Sequence, residues 1–179
     1  METEPGEKKH LFTNKQLWAL LVPVVVEQIL NSLMGTADTM MVSNVGSAAI
    51  SAVSLVDSIN VLVIQVFAAL AAGGTIICSQ YMGQKNVKNA TDAAKQLIFI
   101  ITAIAVVLTA VCVVFQIPLL HLIFGKVEEE VMTNSEVYFL YTALSFPFIA
   151  VFNAGSSVFR AQENTSLPMT ISVISNIMN

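Results

Sequence analysis

Residues 17–42 read LWALLVPVVVEQILNSLMGTADTMMV, a run apolar enough to enter a bilayer that still carries the carboxylates Glu27 and Asp38 and the amide Asn31. At 100° per residue, Asn31 falls about 40° and Asp38 about 20° from Glu27, so the three share one narrow edge of a helix. A carboxylate at membrane depth costs ~2.5–3.5 kcal/mol on insertion scales, so it has to face protein or a water-filled cavity. The stretch therefore demands a helical membrane protein with a polar interior.

The rest of the chain has the same character. Its residues are 55% hydrophobic and only 11% charged, which excludes an ordinary soluble domain. The formal net charge of −4 comes from acids in tails and loops, with no basic stripe to hold nucleic acid. Cys78 and Cys112 belong to different helices and to opposite ends of them, so neither a disulfide nor a thiol metal site is expected. Nothing resembles a nucleophile elbow, a phosphate loop or a metal-spaced His/Cys set, and an enzyme is not expected. The first apolar run is too long and too acidic to be a cleavable signal.

The pattern predicts an all-α polytopic bundle with four full transmembrane helices and the start of a fifth. A polar tail covers residues 1–16, and Thr13 followed by Gln16 has capping-box spacing, placing a helix start near Asn14. Spans are expected at about 17–42, 48–79, 96–116, 138–159 and 167–179, the last cut short. The first covers ~39 Å against a ~30 Å hydrocarbon core, so it tilts or protrudes, and Pro23 can bend it one turn before Glu27. The third is almost purely apolar and is read as lipid-facing. Residues 118–136 are read as a connection, its run of Glu128, Glu129 and Glu130 marking a solvated helix start. A helix ending one turn into the membrane leaves carbonyls unpaired, so the chain is expected to be the N-terminal piece of a longer one.

Basic residues set the orientation. Lys8, Lys9, Lys15, Lys85, Lys88, Lys95 and Arg160 fall on one side and Lys126 alone on the other. The N-terminus is therefore expected in the cytoplasm, with the protein in the plasma (inner) membrane. In the second span Ser47, Ser51, Ser54, Ser58 and Gln65 share about 60° of arc, with Asp57 beside them. In the fourth, Tyr138, Tyr141, Ser145, Phe148, Phe152 and Phe159 recur within about 80°. Such an aromatic face can hold flat organic cations, although an ordinary packed or interfacial stripe has the same spacing.

Several of these residues, in order, resemble one transporter family. Pro23 with Glu27-Gln28, then Gly35-Thr36-Ala37-Asp38-Thr39-Met40-Met41-Val42, is similar to the first helix of multidrug and toxic compound extrusion (MATE) transporters. Residues 48–53, Gln80-Tyr81-Met82-Gly83, Tyr138, Phe159-Arg160-Ala161-Gln162, Thr165-Ser166-Leu167-Pro168-Met169 and the ending Asn176-Ile177-Met178-Asn179 continue the family's order. The pattern departs at Glu163, where the family usually has glycine, and at Gln84, where a small residue is common.

The resemblance implies part of the N-lobe of a twelve-helix antiporter, of which this chain carries about the first two-fifths. Such a protein expels amphipathic or cationic drugs in exchange for Na⁺ or H⁺ and needs no other cofactor. By the same resemblance Asp38 would couple ions, with Asn179 completing the cluster as a candidate Na⁺ site and Asn176 one turn before it. Glu27 and Asn31 join these as candidates for the ion path. Met34 and Met41 flank Asp38, and with Ser54, Ser58, Gln65, Tyr141, Ser145 and Phe152 they are candidate cavity lining. A bland alternative for Glu27 is a carboxyl hydrogen-bonded to Ser54, Ser58 or Gln65 of the second helix. For Asp57 it is a structural partner in the outer leaflet.

Two other functions fit parts of the pattern. A lipid-linked sugar flippase of similar fold would carry several basic residues in its cavity to hold pyrophosphate, whereas no expected span here contains one. A small four-helix accessory protein would insert stably by itself and bind a partner. The expected partners of the antiporter reading are drug-like cations, the bilayer and the remainder of the transporter, with no nucleic acid.

Overall fold

The computed structural model describes residues 14–44 and 46–178, and at Asp38 the backbone alone. Six helices follow in order: α1 (Asn14–Ser43), α2 (Ser47–Gly83), α3 (Val87–Val114), α4 (Gln116–Phe124), α5 (Glu129–Ala161) and α6 (Ser166–Met178). Among the described residues there is no strand. Helices α1, α2, α3 and α5 are long and apolar enough to cross a membrane, and α6 is a shorter apolar helix. The architecture is the all-α bundle that the apolar runs require.

Each long helix outruns its apolar span because nothing at the span's edge stops it. The stops are local. Pro118 has no N–H to give to Val114, so α3 ends there and a separate short helix, α4, begins at Gln116. Residues 118–136 are thus no plain connection, since they hold most of α4 and the first turns of α5. Glu129 and Glu130 occupy the first turn of α5 and Arg160 its last, both in favourable register with the helix dipole. Asn86 caps α3 through a bond from the Asn89 amide at 3.2 Å, and Asn164 does the same for Leu167 at the start of α6 at 3.3 Å.

Two turns at one end of the bundle share a construction. After α2, the Asn86 amide bonds to the carbonyl of Tyr81 and the Lys85 amide to that of Met82. After α5, Asn164 bonds to Phe159 and Glu163 to Arg160 in the same pattern. Both are Schellman closures, and each puts a non-glycine residue in the left-handed region, Lys85 at φ 57° and Glu163 at φ 59°. Glycine is the residue best suited to that position, which gives a physical reason for the glycine usual at the site of Glu163.

The core lies between α2, α3 and α5. From α2 come Val56, Ile59, Val63, Phe67 and Ala71; from α3, Ile101, Ala105 and Cys112; from α5, Phe139, Ala143, Phe146, Ala150 and Ala154. Alanines at the crossing points let the helices approach closely, which is how helices associate where lipid offers no hydrophobic contrast. Phe67 and Phe146 fill the centre edge to face, with ring centroids 6.5 Å apart. Leu120 of α4 caps this core from above. Helix α3 is therefore not wholly lipid-facing: one stripe of it is buried, while Phe99, Val107 and Val114 point outward. Cys78 and Cys112 are buried and unpaired.

Helix α1 stands apart from that core. It packs chiefly on α6 and only lightly on α2. Its buried residues are Pro23 and Glu27, and most of its apolar side chains are exposed. The molecule is a tight bundle of α2, α3, α4 and α5 with a second, looser pair of α1 and α6 against it.

Candidate functional site

The seam between these two groups holds the strongest polar contact in the described chain. Glu27, in the middle of α1, is only 3% exposed. Its two carboxylate oxygens each accept a hydrogen bond from Nη2 of Arg160, at 2.9 Å. Arg160 occupies the last turn of α5, so the bond ties the α1–α6 pair directly to the core bundle. Sequence periodicity placed Glu27 on an inward edge and missed its partner, because the two lie 133 residues apart. The alternative partners Ser54, Ser58 and Gln65 are corrected by this geometry: all three are exposed, and Ser58 donates to the carbonyl of Ser54.

Arg160 also changes the charge reading. It lies inside a membrane-length helix, as do Lys88 and Lys95 of α3, so helices of the bundle do carry basic residues. The charge of Arg160 is neutralised by Glu27, and among the described residues no second cation joins Arg160 to hold a pyrophosphate.

Next to Arg160, α2 and α5 are clasped by hydroxyls. Ser157 donates to the carbonyl of Ala71 at 2.6 Å, Thr75 donates to the same carbonyl at 3.0 Å, and the two hydroxyls contact each other. Beside the clasp lies a cavity of about 320 Å³ bounded by Ala68, Ala72, Thr75, Asn153, Ser157 and Arg160. Small side chains leave this room; the space is half-open, and its mostly apolar wall is interrupted by the hydroxyls, the amide of Asn153 and Arg160. It is wide enough to hold several waters or a partly hydrated ion.

The other expected site residues scatter. The side chain of Asp38 and all of Asn179 lie outside the described residues, so the expected Na⁺ pair does too. Asn176 is half-buried and donates to the carbonyl of Ser172 at 2.7 Å, on the helix that packs against α1. Asn31 is exposed, Met34 is half-buried, and Met41 is exposed. Ser54 and Ser58 border an open groove with Lys126 and Glu128, at the end of the bundle far from Arg160. Tyr141 and Phe148 are 70% and 78% exposed, and Phe152 is also exposed. The core-facing stripe of α5 is instead Phe139, Ala143, Phe146, Ala150 and Ala154, so Tyr141, Phe148 and Phe152 face outward while Tyr138 packs at the edge of the core. Ser145 turns back to the carbonyl of Thr142. Asp57 accepts hydrogen bonds from Tyr138 at 3.2 Å and Asn60 at 3.3 Å, the half-buried polar tie of the opposite end.

Comparison with known proteins decides the family. The sequence model described as MatE matches residues 23–179.

The chain belongs to the MatE family. Similar MatE relatives include the uncharacterized transporter YisQ of Bacillus subtilis (strain 168), 30% identical over 164 residues, and the probable multidrug resistance protein NorM of Thermotoga maritima, 28% identical over 168 residues. The matches cover 91% and 92% of this chain and 35% of each relative. The chain thus spans about a third of the length of the curated relatives it matches. The same fold recurs in solved structures. A MOP superfamily transporter from Pyrococcus furiosus superposes with TM-score 0.84 at 18% identity, and a MATE protein in complex with MaD3S with TM-score 0.84 at 20% identity. These cover 90% of this chain and 35% and 36% of those chains. MatE proteins are membrane transporters, not enzymes, and this chain has the multi-pass helical fold that goes with that work.

Proposed function

We propose that the chain forms part of an antiporter that expels cationic or amphipathic drugs through the plasma membrane in exchange for H⁺ or Na⁺. The relative named as a probable multidrug resistance protein supports the substrate class. The observation that carries the ion-driven reading is Glu27, a carboxylate kept in the middle of a membrane-length helix and almost fully shielded. Such a group is retained at a cost that work with cations would justify. It sits at the seam of two helix groups, where binding a cation alters the attraction between them. Asp38 and Asn31 share its helical edge, and α6, carrying Asn176, packs on the same helix. Asp38, Asn176 and Asn179 would bind the coupling ion, with Glu27 on its path. The N-terminus and the α2–α3 turn would face the cytoplasm, as the lysines require.

The test is efflux of a cationic dye from cells stripped of their own pumps, expressing the chain with whatever coding sequence follows Asn179. Asp38→Asn is expected to abolish efflux while membrane insertion persists. Unimpaired efflux in that variant rejects the assignment, and varying pH and sodium during the assay identifies the ion.

A further inference from the structure

Two cavities flank the guanidinium of Arg160. The first is the half-open groove beside Thr75, Asn153 and Ser157, about 320 Å³ in volume and mostly apolar in lining. The second, about 600 Å³, opens where α2 and α5 end and is bounded by Leu20, Ser79, Gly83 and Gln162. Arg160 is the one residue common to the two linings. It stands between them because Glu27 holds it there, through Nη2 and both carboxylate oxygens.

The two partners are unequally anchored. The Glu27 side chain is 4% exposed and that of Arg160 is 38% exposed. A buried carboxylate on a helix has little freedom, while a half-exposed arginine on the last turn can swing into water on its long stem. Anything cationic that reaches Glu27 competes with the guanidinium for the same two oxygens. Once displaced, Arg160 keeps its charge in the wet cavity, and Glu27 keeps a counter-charge in the proton or cation it has gained. Neither charge is left buried and unpaired, so the exchange avoids the penalty that breaking the pair outright would carry.

We propose that the Glu27–Arg160 pair is an inner gate: it separates the two cavities that share Arg160, and its opening lets the coupling proton or monovalent cation pass from the groove beside Thr75 to the cytoplasmic side. The proposal rests on the transporter reading and names where, within it, the ion leaves. In the closed state Arg160, its charge matched by Glu27, plugs the route by bulk. In the open state it lies in the outer cavity and the two volumes join.

Thiol accessibility tests this without requiring transport. In the chain with its full coding sequence, Cys78→Ala and Cys112→Ala remove the native thiols, and Thr75→Cys places a reporter in the groove. Inside-out vesicles are treated with a membrane-impermeant methanethiosulfonate. With the pair intact, labelling is slow. Glu27→Gln is expected to speed it at least about tenfold, since even 1.4 kcal/mol removed from the closed state shifts its equilibrium that far and a buried pair is stronger. Gly83→Cys, in the outer cavity, serves as the folding control and labels fast in every background. Should Glu27→Gln not insert, Arg160→Gln is compared with the exchanged pair Glu27→Arg/Arg160→Glu, the first expected to label fast and the second slowly. Equal labelling of Thr75→Cys across these backgrounds overturns the gate. Unchanged labelling with intact dye efflux sinks the gate alone, whereas gated labelling without ion-driven efflux sinks the transporter reading and leaves the seal.

Discussion

The bundle of α2, α3 and α5 and the pair of α1 and α6 are held together by different physics. In the bundle, Ala105, Ala143, Ala150 and Ala154 allow close approach, and Phe67 with Phe146 fills the space between. Packing is spread over many contacts, so no single residue decides the arrangement. The α1–α6 pair buries little: Pro23, Glu27, Pro168 and Ser172. Among the described residues, the Glu27–Arg160 ion pair ties it to the bundle. A surface of dispersed contacts resists change, while a contact concentrated in two charges switches when one of them finds another partner. That division suits a transporter that must keep one body rigid and let another respond.

The largest test of the contrast is Arg160→Ala. It strands the Glu27 carboxylate in a nearly dry site and is expected to cost about 3–5 kcal/mol, read as loss of thermal stability in detergent. Adding Glu27→Gln to it should restore part of the loss, because the stranded charge is gone. A single variant as stable as the parent would dissolve the idea that two charges hold the seam. In the bundle, Phe67→Ala opens a cavity against Phe146 and should cost about 3 kcal/mol, measured by the same melt. If its cost is far below that, the bundle is less rigid than its burial implies.

Glycines then sharpen the difference. A methyl added at Gly74 of α2 runs into the Leu97 side chain of α3. Gly74→Ala is therefore expected to destabilise by about 1–2 kcal/mol as Leu97 is displaced. At Gly35 of α1 the same methyl meets nothing within 4 Å, and Gly35→Ala should instead gain roughly 0.5–1 kcal/mol from helix propensity. Opposite signs in one thermal assay would confirm that α2 is clamped and α1 is not. The smallest and most local change is Glu163→Gly. It relieves the left-handed backbone at φ 59° and should raise stability by about 0.5–1 kcal/mol, with no effect on α1.

Much of this could be read in advance where local rules govern. Apolar runs gave the long helices, Pro118 the break after α3 and the glutamate run the start of α5, whereas α3 begins at Val87, inside a stretch that reads as polar loop. The family order of residues from Pro23 onward foretold membership that the sequence model matches over 23–179. The site was less legible. Helical periodicity put Glu27 on an inward edge but said nothing of Arg160, which seemed a loop-end charge. The serine row of α2 and Tyr141, Phe148 and Phe152 of α5 had the right spacing for a lining and are exposed in this chain. A stripe of polar or aromatic residues fixes which residues share a face, not which way the face turns in a membrane protein, where both lipid and protein accept aromatic and hydroxyl groups.

The sequence alone determined that this chain makes membrane-length helices and that acids in the first of them need shelter. Those outcomes follow from hydrogen bonds and hydropathy within a few turns of chain. Only the tertiary structure decided that α1 leans on α6 rather than on the core, and that Glu27 is sheltered by Arg160 with a cavity on either side of the guanidinium. Such pairings depend on which helices meet, and contacts across 133 residues leave no periodic trace in the sequence.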